Sequence, residues 1–335
     1  MINKVRVRNF KSIKNLEFFT SRVNIFIGKP DSGKSNILEA IGLYSLAYDK
    51  SKVRQKNSIS DYIRAENMSD MFHDKIIDNK ISVEIKGDSG QNIFNIIYHD
   101  EKYELCCSEL ADNREIIKIS LNKDFKNISK PEINYCDSLP VRFYRFKQLI
   151  KYPFKELDFL YPPYGDNLLS IINHRKDAKD FVINLLDEYG YKYQGFSDTN
   201  KIYFIIEKKN ESIPIPLYLL SDTLLRVIFF NIAIELSSNA SLIFEEPEAH
   251  IFPFYNKYLA EKIALYNSNQ FFIATHNPTF VLNLIEKTSD EDLKIFLTYY
   301  DSKEFSTKLK SLSKEETESL SGYGESLFMN LDKYI

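Results

Sequence analysis

Tryptophan is absent from this chain of 335 residues, and cysteine occurs three times, as Cys106, Cys107 and Cys136. The number is odd, no C-x-x-C pair occurs, and the adjacent Cys106 and Cys107 do not readily bridge. A disulfide framework and a zinc site are therefore not expected, and free thiols in a reducing cytosol are. Long apolar runs are missing too. No window of about 18 uninterrupted apolar residues exists, so no transmembrane helix is expected. The N-terminus, MINKVRVRNFKSIKN, is charged and alternating, unlike an apolar leader, which fits a cytoplasmic protein without a membrane partner. Strong net charge is also lacking. At −3 the chain as a whole does not advertise nucleic-acid binding, although a local basic patch stays open. What is present is a hydrophobic content of 44%, enough for a sizeable core, in a length that suits one large or two ordinary domains.

The most informative stretch is Gly28-Lys29-Pro30-Asp31-Ser32-Gly33-Lys34-Ser35, a G-x-x-x-x-G-K-S phosphate loop. Apolar Val23 to Ile27 precedes it as a strand, and Ile37, Leu38, Ala40, Ile41 and Leu43 follow at helical spacing as far as about Tyr48. Strand–loop–helix is the setting in which this motif carries weight. The glycines let successive N–H groups point at phosphate oxygens, and the helix N-terminus adds a favourable dipole. Lys34 is placed for the β- and γ-phosphates of a nucleotide such as ATP, and the Ser35 hydroxyl for Mg2+.

Upstream, residues 3–8 alternate and Leu16 to Thr20 reads as a strand. Residues 50–80 are polar. Short β-like runs follow at Ile81–Ile85, Ile93–Tyr98, Tyr103–Cys107, Ile116–Leu121 and Val141–Phe146, together a mostly antiparallel lobe. Residues 165–190 take helical spacing, and Ile202–Ile206 is a strand. From Leu224 to Tyr299 apolar helices alternate with apolar strands, which implies a parallel sheet. The stretch from Lys303 to Ile335 is charged and is expected to close on a short helix.

Two of the strands end in chemistry. Leu242-Ile243-Phe244 runs into Glu245-Glu246. In a phosphate-loop ATPase, Glu245 would hold Mg2+ through its water shell and Glu246 would polarise the attacking water. Taken alone, the pair equally suits an ordinary acidic strand end. Pro247, Glu248 and His250 make the string more specific. Phe271-Phe272-Ile273-Ala274 ends in Thr275-His276-Asn277-Pro278. His276 is placed to donate to the γ-phosphate, while Thr275 and Asn277 before Pro278 equally make a helix start. A long insertion separates Lys34 from Glu245, the layout of cassette-type ATPases.

The chain resembles the OLD/RecF-like branch of those ABC-type AAA ATPases, relatives of the structural-maintenance-of-chromosomes heads. The residues that carry the resemblance are Asn9 to Lys14, Gly28 to Asn36, Leu220 to Arg226, Phe244 to His250 and Ala274 to Pro278, in family order. It implies an α/β fold: a phosphate-loop NTPase head with a mixed or parallel core sheet, an antiparallel β lobe and a helical lobe. Residues 1–335 would form one head, with a nucleotide-binding core from about 1–50 and 215–300. Inserted lobes would occupy about 51–214, and a C-terminal extension 301–335. Gly28, Lys29, Asp31, Ser32, Gly33, Lys34, Ser35 and Asn36 would bind the nucleotide. Ser221 and Asp222 would do so from a partner copy, as the signature segment at the start of helix Leu224–Leu236. Gln148 would supply the metal contact of the glutamine loop, although a surface glutamine suits the sequence equally. Thr223 stands where the family usually has glycine, and Pro30-Asp31 where relatives often have asparagine and glycine.

What the resemblance implies is a Mg2+-dependent ATPase that dimerises head to head and gates action on DNA or a separate effector or nuclease, in DNA repair or antiviral defence. The catalytic residues would be Lys34, Glu246 and His276. The competing expectation is a nucleotide-gated DNA- or protein-binding module with little turnover. Its basic candidates are Lys50, Lys52, Arg54 and Lys56, and Lys118, Lys123, Lys126 and Lys130, equally readable as solvated faces. No Toprim nuclease is expected.

Overall fold

The computed structural model describes residues 1–335 except 47–58, 89, 135–139, 156–157, 197–200 and 209–210. Strand β3 (Val23–Ile27) lies inside a sheet with β9 (Val141–Tyr144), β13 (Ser241–Glu245), β14 (Gln270–Ala274), β15 (Leu293–Asp301) and β16 (Ser306–Ser311). The order is β16-β15-β3-β14-β13-β9, and every pairing is parallel except β15 with β16. All five residues of β3 are buried, as expected of a parallel strand covered on both faces. Alternation then sends Val23, Ile25 and Ile27 into one core and Phe26 into the other. Asn24 is the one polar member, and its amide donates to the Ser21 and Phe271 carbonyls.

The first core is helical. It is built by α2 (Leu168–His174), α3 (Lys176–Asp187), α4 (Asp222–Glu235), α5 (Pro253–Leu265) and α6 (Pro278–Lys287). Helix α4 is buried almost all round, with Phe229 and Phe230 edge to face and Phe230 against Phe244. The second core lies between the sheet, helix α1 (Lys34–Gly42) and an antiparallel sheet. That sheet comprises β1 (Ile2–Phe10), β2 (Ile13–Phe19), β4 (Ile81–Gly87), β5 (Gly90–His99), β6 (Lys102–Glu109), β7 (Arg114–Leu121) and β8 (Glu132–Ile133), in the order β2-β1-β4-β5-β6-β7-β8. No helix among the described residues is long and apolar enough to cross a membrane.

Several expectations need correction. The run at Val141 does not join the antiparallel lobe. It forms β9, parallel to β13 at the edge of the core sheet, with the Phe143 N–H donating to Ser45 Oγ. The strand at Ile202 is the middle of a separate antiparallel sheet, flanked by β10 (Tyr191–Phe196) and β12 (Glu211–Pro216) around β11 (Lys201–Lys208). Helix α1 passes at Gly42 into a 3-10 turn over Leu43–Leu46, and the expected end near Tyr48 lies outside the described residues. The C-terminal stretch is more than a helix. It begins with β16, continues into α7 (Lys314–Ser321) and ends in 3-10 turns. Cys106 and Cys107 are not bridged to one another, and Cys136 lies outside the described residues.

The register aligns the strand tips. Glu245 is level with Ala274, and Ala274 with Phe26. The chain just beyond these three residues carries Glu246, His276 and Gly28. Ligand sites of open α/β sheets form along this edge, outside the carboxyl ends of the strands.

Candidate nucleotide-binding site

The phosphate loop leaves β3 at Gly28 and enters α1 at Lys34. Gly28 (φ 154°) and Gly33 (φ 97°) hold backbone angles that favour glycine. Space demands it as well. A Cβ on Gly33 would lie 2.1 Å from Thr307 Oγ1, and one on Gly28 2.1 Å from the Thr298 carbonyl. Asp31, where relatives often have glycine, takes φ 57°, so it reproduces the glycine-like backbone at some strain. Pro30 and Asp31 are exposed at the loop tip, and Lys29 pairs with Asp332 at 2.7 Å.

A polar strap ties the loop to its flank. Thr307 Oγ1 lies 2.6 Å from Ser12 Oγ and donates to the Ser32 carbonyl, while the Asn36 amide donates to Ser12 Oγ. Gly33→Ala therefore collides with the strap while it strains the backbone. The variant is expected to lose about 1–3 kcal/mol of stability in urea denaturation and to weaken nucleotide binding. Adding Thr307→Ala should recover part of the stability, because the steric share of the damage goes.

Lys34 is buried. Its ammonium donates to the Gly28 carbonyl (2.9 Å), the Lys29 carbonyl (2.8 Å) and Ser32 Oγ (3.3 Å). Burial pulls its pKa down to about 8, against the opposing charges of Glu246 and Asp31. Phosphate binding needs the charged form and favours it. ATP binding should therefore take up a proton as pH rises above about 8, and affinity should fall by up to about tenfold per pH unit above there. Calorimetry in buffers of different ionisation enthalpy measures that proton. Binding that stays flat from pH 7 to 9.5 contradicts it.

Glu245, at the tip of β13, is a carboxylate in a cationic cage. Burial pushes its pKa up, but Arg145, Arg64 and the Ser35 hydroxyl outweigh burial, and the group stays below the usual carboxylate range. Oε2 accepts from Arg145 Nε at 2.7 Å and from Arg64 at 3.0 Å. Oε1 is buried without a hydrogen-bond partner among the described residues. An ionised oxygen left without a partner is what a hard divalent cation takes up, directly or through water. Three or more clustered His, Cys, Asp or Glu side chains, as an all-protein metal cage needs, do not occur among the described residues. A cation held mainly by phosphates and water needs no such cage.

Glu246 turns sharply out of the strand (φ 45°), and its N–H is pinned to the Ala274 carbonyl at 2.9 Å. The side chain is exposed, and Oε1 stands 3.8 Å from His276 Nε2. Burial and Lys34 lower the His276 pKa below 6.5, against the pull of Glu246. The imidazole is therefore neutral at pH 7 and keeps one N–H to donate. Asn277 caps α6 by accepting from the Phe280 N–H, so the strand tip is also a helix start.

The signature segment is close to the acid loop of its own chain. Ser221 caps α4, Asp222 pairs with Arg226, and Thr223 Oγ1 donates to the His250 carbonyl at 2.8 Å. Gln148 is turned elsewhere: it is exposed, and its amide donates to the Tyr218 carbonyl. Arg145, three residues earlier, reaches Glu245 instead.

The sequence reading missed that arginine and its partners. Glu39 is buried on α1 and accepts from Arg145 Nη2, from the Arg64 backbone N–H and from Lys11. One signal was available, since an acid among Ile37, Leu38, Ala40 and Ile41 needs a cation if it is buried.

A family model described as "AAA domain, putative AbiEii toxin, Type IV TA system" matches residues 23–283. No curated protein matches the chain. Three solved structures are similar at low identity. An SmcHead bound to the C-winged helix domain of ScpA shares 16% identity over 95% of this chain and 99% of that one, with a TM-score of 0.45. The SMC head domain from Thermotoga maritima shares 13% over 93% and 99%, with 0.42. An Smc head domain with an extended coiled coil, bound to the C-terminal domain of ScpA derived from Pyrococcus furiosus, shares 14% over 96% and 98%, with 0.47.

Proposed function

The chain belongs to that family of AAA domains, ABC-type phosphate-loop ATPases that bind nucleotide, and from this premise we propose that it is a Mg2+-dependent ATP hydrolase. The observation that carries the reading is the alignment of three strand tips. It sets Lys34 and Ser35, the unpartnered oxygen of Glu245, and the Glu246–His276 pair along one edge.

In this reading Gly28, Lys29, Asp31, Ser32, Gly33 and Asn36 cradle the phosphates. Lys34 leaves its three loop acceptors for the β- and γ-phosphates. Ser35 and Glu245 would hold Mg2+, which would supply charge neutralisation for the phosphates. Glu246 takes a proton from the attacking water. The water oxygen bonds to γ-phosphorus, and the bond from γ-phosphorus to the bridging oxygen breaks, leaving ADP and phosphate. Neutral His276 donates to a γ-oxygen without adding a cation beside Lys34.

The same reading makes the molecule an ATP-dependent homodimer. Ser221 and Asp222 of one copy, at the N-terminus of α4, face the nucleotide of the other. Closure and opening then gate action on DNA or on a separate effector or nuclease, in DNA repair or antiviral defence. The family description, with its toxin–antitoxin wording, supports the defence setting. Phosphate release from Mg-ATP by the purified protein tests hydrolysis; no release above a Lys34→Ala control sinks it.

One observation favours a second reading, a nucleotide-gated binding module with little turnover. Thr223 spends its hydroxyl on His250 of its own chain, where a glycine would leave the helix N-terminus bare. DNA affinity that falls steeply with salt supports that module. Of its basic candidates, Lys118 is paired with Glu104 at 2.9 Å, and Lys50, Lys52, Arg54 and Lys56 lie outside the described residues.

A further inference from the structure

Glu248 has no role in the reaction described above, yet its carboxylate is among the most enclosed in the chain. The side chain is 95% buried, three residues past Glu245 in the loop that carries Glu246. Oε1 accepts from the Thr275 hydroxyl. Thr275 Oγ1 in turn accepts from the Asn277 N–H at 3.0 Å, and Asn277 starts α6. Oε2 has no hydrogen-bond partner among the described residues.

A buried carboxyl with one oxygen unmatched is costly. A strand-tip loop does not need it for folding alone, since a buried apolar side chain would fill the space more cheaply. What the carboxyl does is join two loops that come from different strands. One loop follows β13 and carries Glu246, and the other follows β14 and carries His276. Their backbones touch through the Glu246 N–H and the Ala274 carbonyl. Beyond that bond, the Glu248 side chain ties the acid loop to Thr275, the residue before the histidine. The far end of the acid loop is tied separately, by Thr223 to the His250 carbonyl. Glu246 and His276 are themselves exposed and 3.8 Å apart, too far to fix one another.

We propose that Glu248 is the positioning residue of this site: its carboxyl, through the Thr275 hydroxyl, sets where the adjacent His276 stands relative to Glu246. This rests on the hydrolytic reading above. Burial pushes the Glu248 pKa up to about 7, against the hydrogen bond from the Thr275 hydroxyl. The Thr275 hydroxyl needs only an acceptor oxygen, which the acid, its anion or a glutamine amide supplies alike. A displacement of either catalytic group by about 1 Å costs on the order of 100-fold in rate while leaving phosphate binding intact.

The test compares the parent with Thr275→Val, Glu248→Ala and Glu248→Gln. Three quantities are read: affinity for a fluorescent ATP analogue, the single-turnover hydrolysis rate, and the titration of 15N-labelled His276 by NMR. Thr275→Val keeps the shape of the side chain and removes only the hydroxyl. It is expected to lower the single-turnover rate on the order of 10- to 100-fold, to leave nucleotide affinity within about threefold, and to move the His276 pKa towards its ordinary 6.5. Glu248→Ala should match it, the double variant should be no worse than either single one, and Glu248→Gln should recover much of the rate. An unchanged rate in Thr275→Val overturns the proposal. So does a loss of rate and affinity together with lowered melting temperature, which marks a merely structural role. Should the parent itself hydrolyse no ATP, the hydrolytic reading falls. The His276 titration then decides alone: a shift in Thr275→Val upholds the positioning and an unchanged titration sinks it.

Discussion

Lys34→Ala is expected to lower ATP affinity on the order of 100- to 1,000-fold and to bring turnover to background. The size of the effect follows from where the ammonium sits. It is buried inside the loop and its three acceptors belong to the loop itself, two of them backbone carbonyls. It donates to no acceptor outside the loop among the described residues, so it is available to a phosphate at the cost of those bonds. The variant removes a cation that burial disfavours, as its lowered pKa records. Thermal stability without nucleotide should therefore hold or rise. The stabilisation that ATP gives the parent should disappear from a melting curve run with Mg-ATP. A variant that melts lower without nucleotide, or still gains stability from it, contradicts this account of the loop.

Glu246→Gln is expected to cut single-turnover hydrolysis on the order of 100- to 10,000-fold while ATP affinity stays or tightens. The substitution is nearly isosteric. The residue's left-handed backbone and its N–H bond to Ala274 are features of the main chain, so both survive. What is lost is the ability to accept a proton from water. Neutral His276 does not take over, because its lowered pKa makes it a weaker base and Lys34 stands nearby. Turnover in Glu246→Gln within threefold of the parent would assign the base to another group.

How much of this site could be read in the sequence depends on how local each part is. The phosphate loop is contiguous, and a strand of five residues and a helix of nine flank it directly, so periodicity and motif reinforce one another. Glu245, Glu246 and His276 were legible for a different reason. Parallel strands deliver their ends to one edge, so an apolar run that stops at an acid or a histidine marks a position in space. The cage around Glu245 was not legible. Lys11, Glu39, Arg64 and Arg145 come from a hairpin, a helix, a loop and a strand end, and only the packing of the antiparallel sheet on α1 brings them together. Gln148 was chosen by analogy of position, whereas the structure gives the neighbouring Arg145 the contact with Glu245. The edge strand β9 was assigned to the wrong sheet because four apolar-rich residues carry no sign of whether they pair parallel or antiparallel. Strand β16 and its Thr307, which wedges against Gly33, looked like part of a charged tail.

The most direct measurement of the central claim is light scattering on size-exclusion chromatography of Glu246→Gln, with and without Mg-ATP. Removing the general base leaves bound ATP uncleaved, so any nucleotide-driven pairing accumulates. The account predicts a monomer without nucleotide and a dimer with it, the dimer abolished by adding Lys34→Ala. A monomer under both conditions contradicts it. It would mean that Thr223, tied to its own acid loop, keeps the signature segment from meeting a partner's nucleotide.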